Sequence, residues 1–390
     1  MTANAEPVLV ADDPVIAPTG SPAERFTSRD PEAFEVPRGR EEEWRFTPTR
    51  RLAELFQPLV PTATTEFDFV APVGPSFEQT AKQDRRVGLA LQPADRVAAL
   101  AWSGSDSAWV IDIPANAVLA EPVVVTANST GGIGYGHLVV HAGAYSKATV
   151  IVERTGDATT AANVEVIAQE GADLTVVGLQ NWSSGAIHVA QHAIQVGRDA
   201  RVKHAVVNLG GSIVRISPYV SYAGPGGRAE LLGVSFAGEG QHLESRLYVD
   251  HSAPNCSSDV RYRNALLGDS ARTVWVGDVR IRPSATGTDT YEANRNLVLS
   301  DGARADSVPN LEIETGEIAG AGHASATGRF DDAQLFYLQA RGIPKDEAQR
   351  LVVRGFFAEI VERIGVPDLQ DRIMTAIEAR LGFTTTEDSE

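Results

Sequence analysis

One cysteine, Cys256, is present among 390 residues. A disulfide within the chain is therefore excluded, and so is a four-cysteine zinc or iron–sulfur site. Basic residues are in deficit: 34 Lys and Arg stand against 51 Asp and Glu, a formal net charge of -17. A surface of that sign repels phosphate backbones and anionic lipid, so neither nucleic acid nor a membrane surface is an expected partner. A basic protein or a metal cation would suit it. No apolar run approaches the length of a membrane span. No basic start followed by an apolar stretch opens the chain, which predicts a cytoplasmic location and makes the sequons at Asn128, Asn181 and Asn255 chance matches. Also missing are a Gly-x-x-x-x-Gly-Lys-Ser/Thr phosphate loop, a Gly-x-Ser-x-Gly elbow and a His-Glu-x-x-His pair. Gly131-Gly132-Ile133-Gly134-Tyr135-Gly136 breaks the dinucleotide-loop register and no helix follows it, so it reads as a tight turn.

Hydrophobic residues nevertheless make up 43% of the chain, enough to bury a sizeable core. Residues 1–21, with prolines at 7, 14 and 18, read as a disordered tail. Residues 22–75 read as short helices around Glu41–Phe46 and Arg50–Phe56, followed by a four-proline linker over Pro58–Pro75. Residues 76–330 hold the β block. From Ala108 to Ile318 short alternating runs rich in Val, Ile and Thr replace the helical pattern, as in Thr149-Val150-Ile151-Val152 and Val164-Glu165-Val166-Ile167. Glycine turns at Gly143, Gly171, Gly197, Gly227, Gly268 and Gly302 each precede a strand, at spacings of 28, 26, 30, 41 and 34 residues. Coils of that length bury their inward residues only by stacking, which predicts a parallel β-helix. Residues 331–390 return to helical periodicity, with helices over Asp331–Arg341, Pro344–Ile364 and Pro367–Leu381. Leu351, Val352, Phe356, Ile360 and Ile364 form the apolar face of the second.

Eight histidines are the remaining candidates for chemistry. His137/His141 and His188/His192 are each four apart, so each pair shares a strand face but lies ~13 Å apart, too far to hold one metal. Stacked or surface histidines are the better reading. Cys256 follows a turn-like stretch and reads as a small core residue. His323 sits in Ala319-Gly320-Ala321-Gly322-His323-Ala324-Ser325, a small-residue loop that offers no packing and leaves the imidazole accessible.

Both ends of the chain carry a family resemblance. Asn296–Ile313, with Ser300-Asp301-Gly302-Ala303 and Pro309-Asn310-Leu311-Glu312-Ile313, resembles the end of the solenoid core in the SufB/SufD family of iron–sulfur cluster assembly proteins. His323-Ala324-Ser325-Ala326-Thr327-Gly328 is similar to that family's His-(Gly or Glu)-Ala-Thr loop. Gln334-Leu335-Phe336-Tyr337-Leu338 through Arg341-Gly342-Ile343 matches its first C-terminal helix, and Glu42-Glu43-Trp44-Arg45-Phe46-Thr47 its Glu-Glu-Trp element.

The resemblance implies a mainly β protein: a right-handed parallel β-helix core flanked by N-terminal and C-terminal helical regions. It implies a non-catalytic scaffold subunit that pairs with a SufB-like paralogue, or with itself where the paralogue is absent, and docks a SufC-like ABC ATPase through its C-terminal helices. Leu335, Phe336, Tyr337, Arg341, Ile343 and Phe356 are the residues expected to meet partners. His323 would be an iron or cluster ligand shared with the paralogue, the cluster being transient at their interface, and a reduced flavin is expected at the level of the complex. Ala324 and Ile313, where the SufB side of the family has glutamate and cysteine, place the chain on the SufD side. Trp275-Val276-Gly277 and Glu292 replace the family's aromatic-x-Gly strand and a following Gln, leaving Glu292 as a further candidate metal ligand. Two rival readings remain: a SufB-type cluster-nucleating subunit, and a carbohydrate-active β-helix enzyme built on Asp250, Asp259 and Arg261.

Overall fold

The computed structural model describes residues 24–330 and 332–382, the side chains of 332–335 excepted. The expected tail at 1–21 and the residues after 382 lie outside the described residues. Two short 3-10 segments, Pro31–Ala33 and Thr49–Phe56, precede β1 (Thr64–Val70) and β2 (Ser76–Ala81). β1 occupies the stretch whose prolines predict a linker. Helix α1 (Arg96–Gly104), which the sequence reading does not assign, leads into β3 (Ser107–Ile113), β4 (Val123–Thr130), β5 (Ile133–Ala142) and β6 (Lys147–Gly156). Then follow β7 (Thr159–Ala168), β8 (Asp173–Gln180), β9 (Ile187–Val196), β10 (Arg201–Asn208), β11 (Ile213–Tyr222) and β12 (Arg228–Ala237). β13 (His242–His251), β14 (Ser257–Leu266), β15 (Arg272–Ile281), β16 (Asp289–Val298), β17 (Arg304–Ile313) and β18 (Gly320–Arg329) complete the β block. Helices α2 (Asp332–Ala340), α3 (Lys345–Ile364) and α4 (Pro367–Arg380) end it.

The strands fall alternately into two nine-stranded sheets, β1-β4-β6-β8-β10-β12-β14-β16-β18 and β2-β3-β5-β7-β9-β11-β13-β15-β17. Pairing is parallel throughout except for β1 with β4 and β2 with β3. This is the parallel β-solenoid expected. Val150 and Val152, Leu174 and Val176, and Ile194 and Val196 alternate inward along their strands and are fully buried. Each such side chain contributes about 1.5–3 kcal/mol when removed from water.

The repeat is sharpest at one corner. There a single residue per coil adopts the left-handed region: Asn116, Tyr145, Gly171, Asp199, Gly226, Asn255 and Gly287, at spacings of 29, 26, 28, 27, 29 and 32. The amide of each donates to a carbonyl of the next coil at 2.6–3.2 Å. This ladder explains the irregular glycine spacing. Gly143, Gly171, Gly197 and Gly227 precede strands of the first sheet, whereas Gly268 and Gly302 precede β15 and β17 of the second. The interval of 41 therefore compares opposite corners.

The two outer faces are covered differently. On the second sheet the N-terminal segment is held by a buried charge cluster. Arg215, fully buried, lies 3.8 Å above the Trp44 ring and pairs with Glu43 (2.6 Å), Asp95 (3.3 Å) and Glu244 (3.2 Å). Glu244 also accepts from Thr47 Oγ1 at 2.8 Å. Glu43, Trp44 and Thr47 of the Glu-Glu-Trp element are thus anchors for the N-terminal segment. On the first sheet, Val353, Phe357, Ile360, Val361 and Ile364 of α3 join Leu369, Ile373 and Ile377 of α4 over Val177, Val207, Leu232, Val234 and Phe236. This stripe is rotated from the face read in sequence: Leu351 is exposed and Phe356 half-buried, because the i, i+4, i+7, i+8, i+11 row starting at Val353 is the one that meets the sheet.

Gly171→Ala is expected to lower stability by about 1–3 kcal/mol, since its φ is +65° and an added methyl would run into the Tyr145 ring. Gly185→Ala, with open space around it, should change stability by less than about 0.5 kcal/mol. Urea denaturation midpoints of the two variants check the corner ladder.

Candidate functional site

The two ends of the solenoid are unlike. At the N-terminal end the short antiparallel β1 and β2 are the last strands of the two sheets, and Phe67, Phe69, Phe77 and Trp109 cluster over the core with ring centroids 4.6–5.6 Å apart. At the C-terminal end β17 and β18 are the last strands, and among the described residues no strand pairs with their outer edges. Two ten-residue edges are left facing outward. Such unpaired rows of N–H and C=O groups are templates for another chain.

The interior just beneath that end is polar. β16 turns Thr290, Glu292, Asn294 and Asn296 inward, all buried. Asn296 Nδ2 donates to Ser307 Oγ (2.9 Å) and Thr327 Oγ1 (3.0 Å), and Asn264 Nδ2 donates to Asn296 Oδ1 (2.9 Å). This ladder stitches β14, β16 and β18, and ties in β17. Glu292 is different. It is 1% exposed, and neither carboxylate oxygen makes a hydrogen bond of ordinary geometry. Burial, with the Asp278 charge second, pushes its carboxyl up to about 8, the Asn310 amide opposing the shift. Trp275 Nε1 and Asn294 Nδ2 are likewise buried without a partner. Gly277 provides the space: a methyl there would collide with both Glu292 and the Trp275 ring.

His323 lies on β18, in register opposite Glu292, and is exposed. The expectation of a small-residue loop is corrected: Gly320–Arg329 is a strand, because parallel pairing with β16 overrides the weak strand preference of Gly, Ala and Ser. Residues in register share a sheet face. His323 therefore continues the inward row of Glu292 at the last rung, where no described residue buries it.

The other candidates are dispersed. Phe336 and Tyr337 on α2 are 72% and 56% exposed, and Arg341 stacks over Tyr337 at 4.8 Å. Ile343 is half-buried, and the Leu335 side chain lies outside the described residues. Phe356 packs under Arg263 of the chain's own β14. Cys256 is a core residue, 1% exposed, its thiol pushed up by burial. His188 and His192 face the interior, His192 Nδ1 lying 2.9 Å from His204 Nε2 across it, and burial holds all three below the usual imidazole range. His137 and His141 contact Glu165 (2.9 Å) and Asp112 (2.6 Å). Asp250 pairs with Arg282 on the second sheet, and Asp259 with Arg261 and Arg363 on the first, so the carboxylates invoked for a glycan-cleaving site face away from each other. The inward Asn294, Asn296, Ser307 and Thr327 escape sequence reading because polar residues at period two look like an outward row.

Comparison with known proteins follows the same geometry. Residues 124–356 match the family model described as "SUF system FeS cluster assembly, SufBD core domain". The chain is 51% identical over 370 residues to an iron–sulfur cluster assembly SufBD family protein of Mycobacterium tuberculosis, covering 93% of each. It is 50% identical over 368 residues to one from Mycobacterium leprae, covering 92% of this chain and 94% of that protein. A second SufBD family protein of Mycobacterium tuberculosis is 29% identical over 208 residues, 53% of this chain and 24% of that protein.

The Glu292 carboxyl sits above its unfolded value of about 4.3, so the unfolded chain gives up this proton first. Its contribution to stability therefore falls as pH rises from about 4 to about 8. Glu292→Gln is expected to be more stable than the parent at pH 8 by about 1–3 kcal/mol, with the difference gone near pH 4. Equal denaturation midpoints at pH 8 would contradict a buried, unpaired carboxyl.

Proposed function

The chain belongs to the SUF-system SufBD family of iron–sulfur cluster assembly proteins, and on that premise we propose that it is a SufD-type scaffold subunit with no catalytic chemistry of its own. It works in the cytoplasm, pairs with a SufB-like paralogue through the open end of its solenoid, and docks a SufC-like ABC ATPase through its C-terminal helices. The cluster is its cargo.

One observation carries this reading: the C-terminal end of the solenoid presents two ten-residue strand edges that no described strand pairs, above a buried polar row, whereas at the N-terminal end the shorter antiparallel β1 and β2 lie over an aromatic cluster. Extending both sheets into a second solenoid would satisfy those edges and bury the polar row beneath them. A paralogue offers the same pair of edges, and so does a second copy of this chain, which is the homodimer expected in its absence. Among the described residues no three His, Cys, Asp or Glu stand together in a way that could hold a metal ion. The single thiol is buried. His323 therefore serves as one ligand of a site whose other ligands the paralogue supplies, which favours the SufD side over a cluster-nucleating SufB role. Imidazole suits iron, and an exposed last-rung position leaves it free to meet another chain. Exposed Phe336 and Tyr337 on α2 support the ATPase dock, for aromatic anchors dominate protein interfaces. No helix among the described residues is long and apolar enough to cross a membrane.

His323→Ala should leave assembly with the two partners intact and lower cluster formation on the purified complex at least tenfold, read from visible absorption during iron and sulfide reconstitution. Cluster formation at the parental rate in an intact complex would reduce His323 to an ordinary strand residue.

A further inference from the structure

At the N-terminal end of the solenoid, opposite the edges just described, a cavity of about 390 Å3 lies between β1, β2 and the first coils. Its wall is unusual for a chain of net charge -17. Arg154 lines it together with Thr65, Ser105, Ser107, Ser129 and Thr160, and among the described residues no carboxylate does. Phe67, Trp109 and Tyr135 supply an apolar side.

Arg154 is the decisive residue. It is 9% exposed on the inward face of β6, and among the described residues its guanidinium has neither a hydrogen bond nor an ion pair. The side-chain oxygen of its register partner Gln180 accepts from Trp182 Nε1 at 2.8 Å. His137 is already engaged with Glu165 at 2.9 Å, on the other side of the sheet. Behind Arg154, Thr160 contacts His188 Nδ1 at 2.7 Å, and burial together with the Arg154 charge holds that imidazole neutral. Burial alone pushes the Arg154 guanidinium down to about 10, with no acidic group to offset it. A buried cation without a counter-charge is costly, and folded proteins retain one where a partner completes it. Among the described residues every other buried arginine has its acid: Arg215 has three, and Arg246 and Arg280 have Glu43 and Glu314. Arg96 reaches Glu32.

We propose that this cavity is a binding site for a small oxyanion-bearing ligand, its carboxylate or phosphate paired with Arg154 and flanked by Ser129 and Thr160, with any apolar body against Trp109 and Phe67. A guanidinium fork matches the two oxygens of either group. The volume is that of a site for a small metabolite rather than for a nucleotide chain or a peptide. The inference stands apart from the assembly role, because it uses the opposite end of the solenoid and none of the residues placed there.

The test is isothermal titration of the full purified chain with benzoate, benzamide and inorganic phosphate. Saturable binding of benzoate or phosphate at one per chain is expected, with benzamide at least tenfold weaker than benzoate. Arg154→Gln should weaken anion binding at least tenfold, and Arg154→Lys should restore part of it. Preference for benzoate identifies an organic anion as the ligand class; preference for phosphate identifies an inorganic one. Absence of saturable binding of both anions to the parent chain overturns the proposal whether or not the variants fold, and so does parental affinity in a folded Arg154→Gln.

Discussion

A single coil of this solenoid cannot bury its own inward face, and every other feature depends on that. Each coil contributes one strand to each of two sheets, and its apolar residues leave water only when the next coil stacks on them. The first and last coils therefore pose a problem that the middle does not. At the N-terminal end Phe67, Phe69, Phe77 and Trp109, held by antiparallel β1 and β2 and by β3, pack over the core. At the C-terminal end no described strand pairs with the outer edges of β17 and β18. The polar inward row of Glu292, Asn294 and Asn296 fits that arrangement, since an apolar row at an open end would demand burial in every state of the protein.

Charge is managed by the same logic. Most of the acidic excess can stay in water, but Arg215, Glu43, Asp95 and Glu244 are taken into the fold where the N-terminal segment crosses the second sheet. A buried cluster of this kind adds little net stability over apolar packing, yet removing one member strands the rest. It therefore fixes where the segment lies. The Glu-Glu-Trp element is legible as structural for this reason: Trp44 roofs the arginine, Glu43 pairs with it, and Thr47 satisfies Glu244. The helices α3 and α4 are also integral, since their apolar stripe covers Val207, Leu232 and Phe236. Of the three C-terminal helices, only α2 leaves described aromatic side chains, Phe336 and Tyr337, more than half exposed.

The solenoid was readable because Val, Ile and Thr alternate at period two and turns recur at coil length. The corner that sets the repeat was harder to see, because Asn116, Tyr145, Asp199 and Asn255 take the left-handed conformation that glycine marks elsewhere. The C-terminal helices were placed within two residues, but the buried stripe of α3 was off by one position: Val352 and Phe356 lie beside Val353 and Phe357 in sequence, and only the sheet decides between them. His323 was singled out correctly as accessible, but for the wrong local reason, since small residues form a strand when a neighbouring strand offers a complete ladder. Arg154 and Glu292 are invisible as buried ionisable groups, because an ionisable residue in an alternating run looks like an outward one.

The account turns on the open end being an interface, and one preparation tests it most directly. Co-expression of the full chain with the host's SufC-like ATPase and SufB-like paralogue, followed by affinity purification at ordinary salt and native mass determination, should yield one assembly that contains all three chains. Recovery of this chain alone and monomeric, its edges uncovered, would contradict the scaffold role.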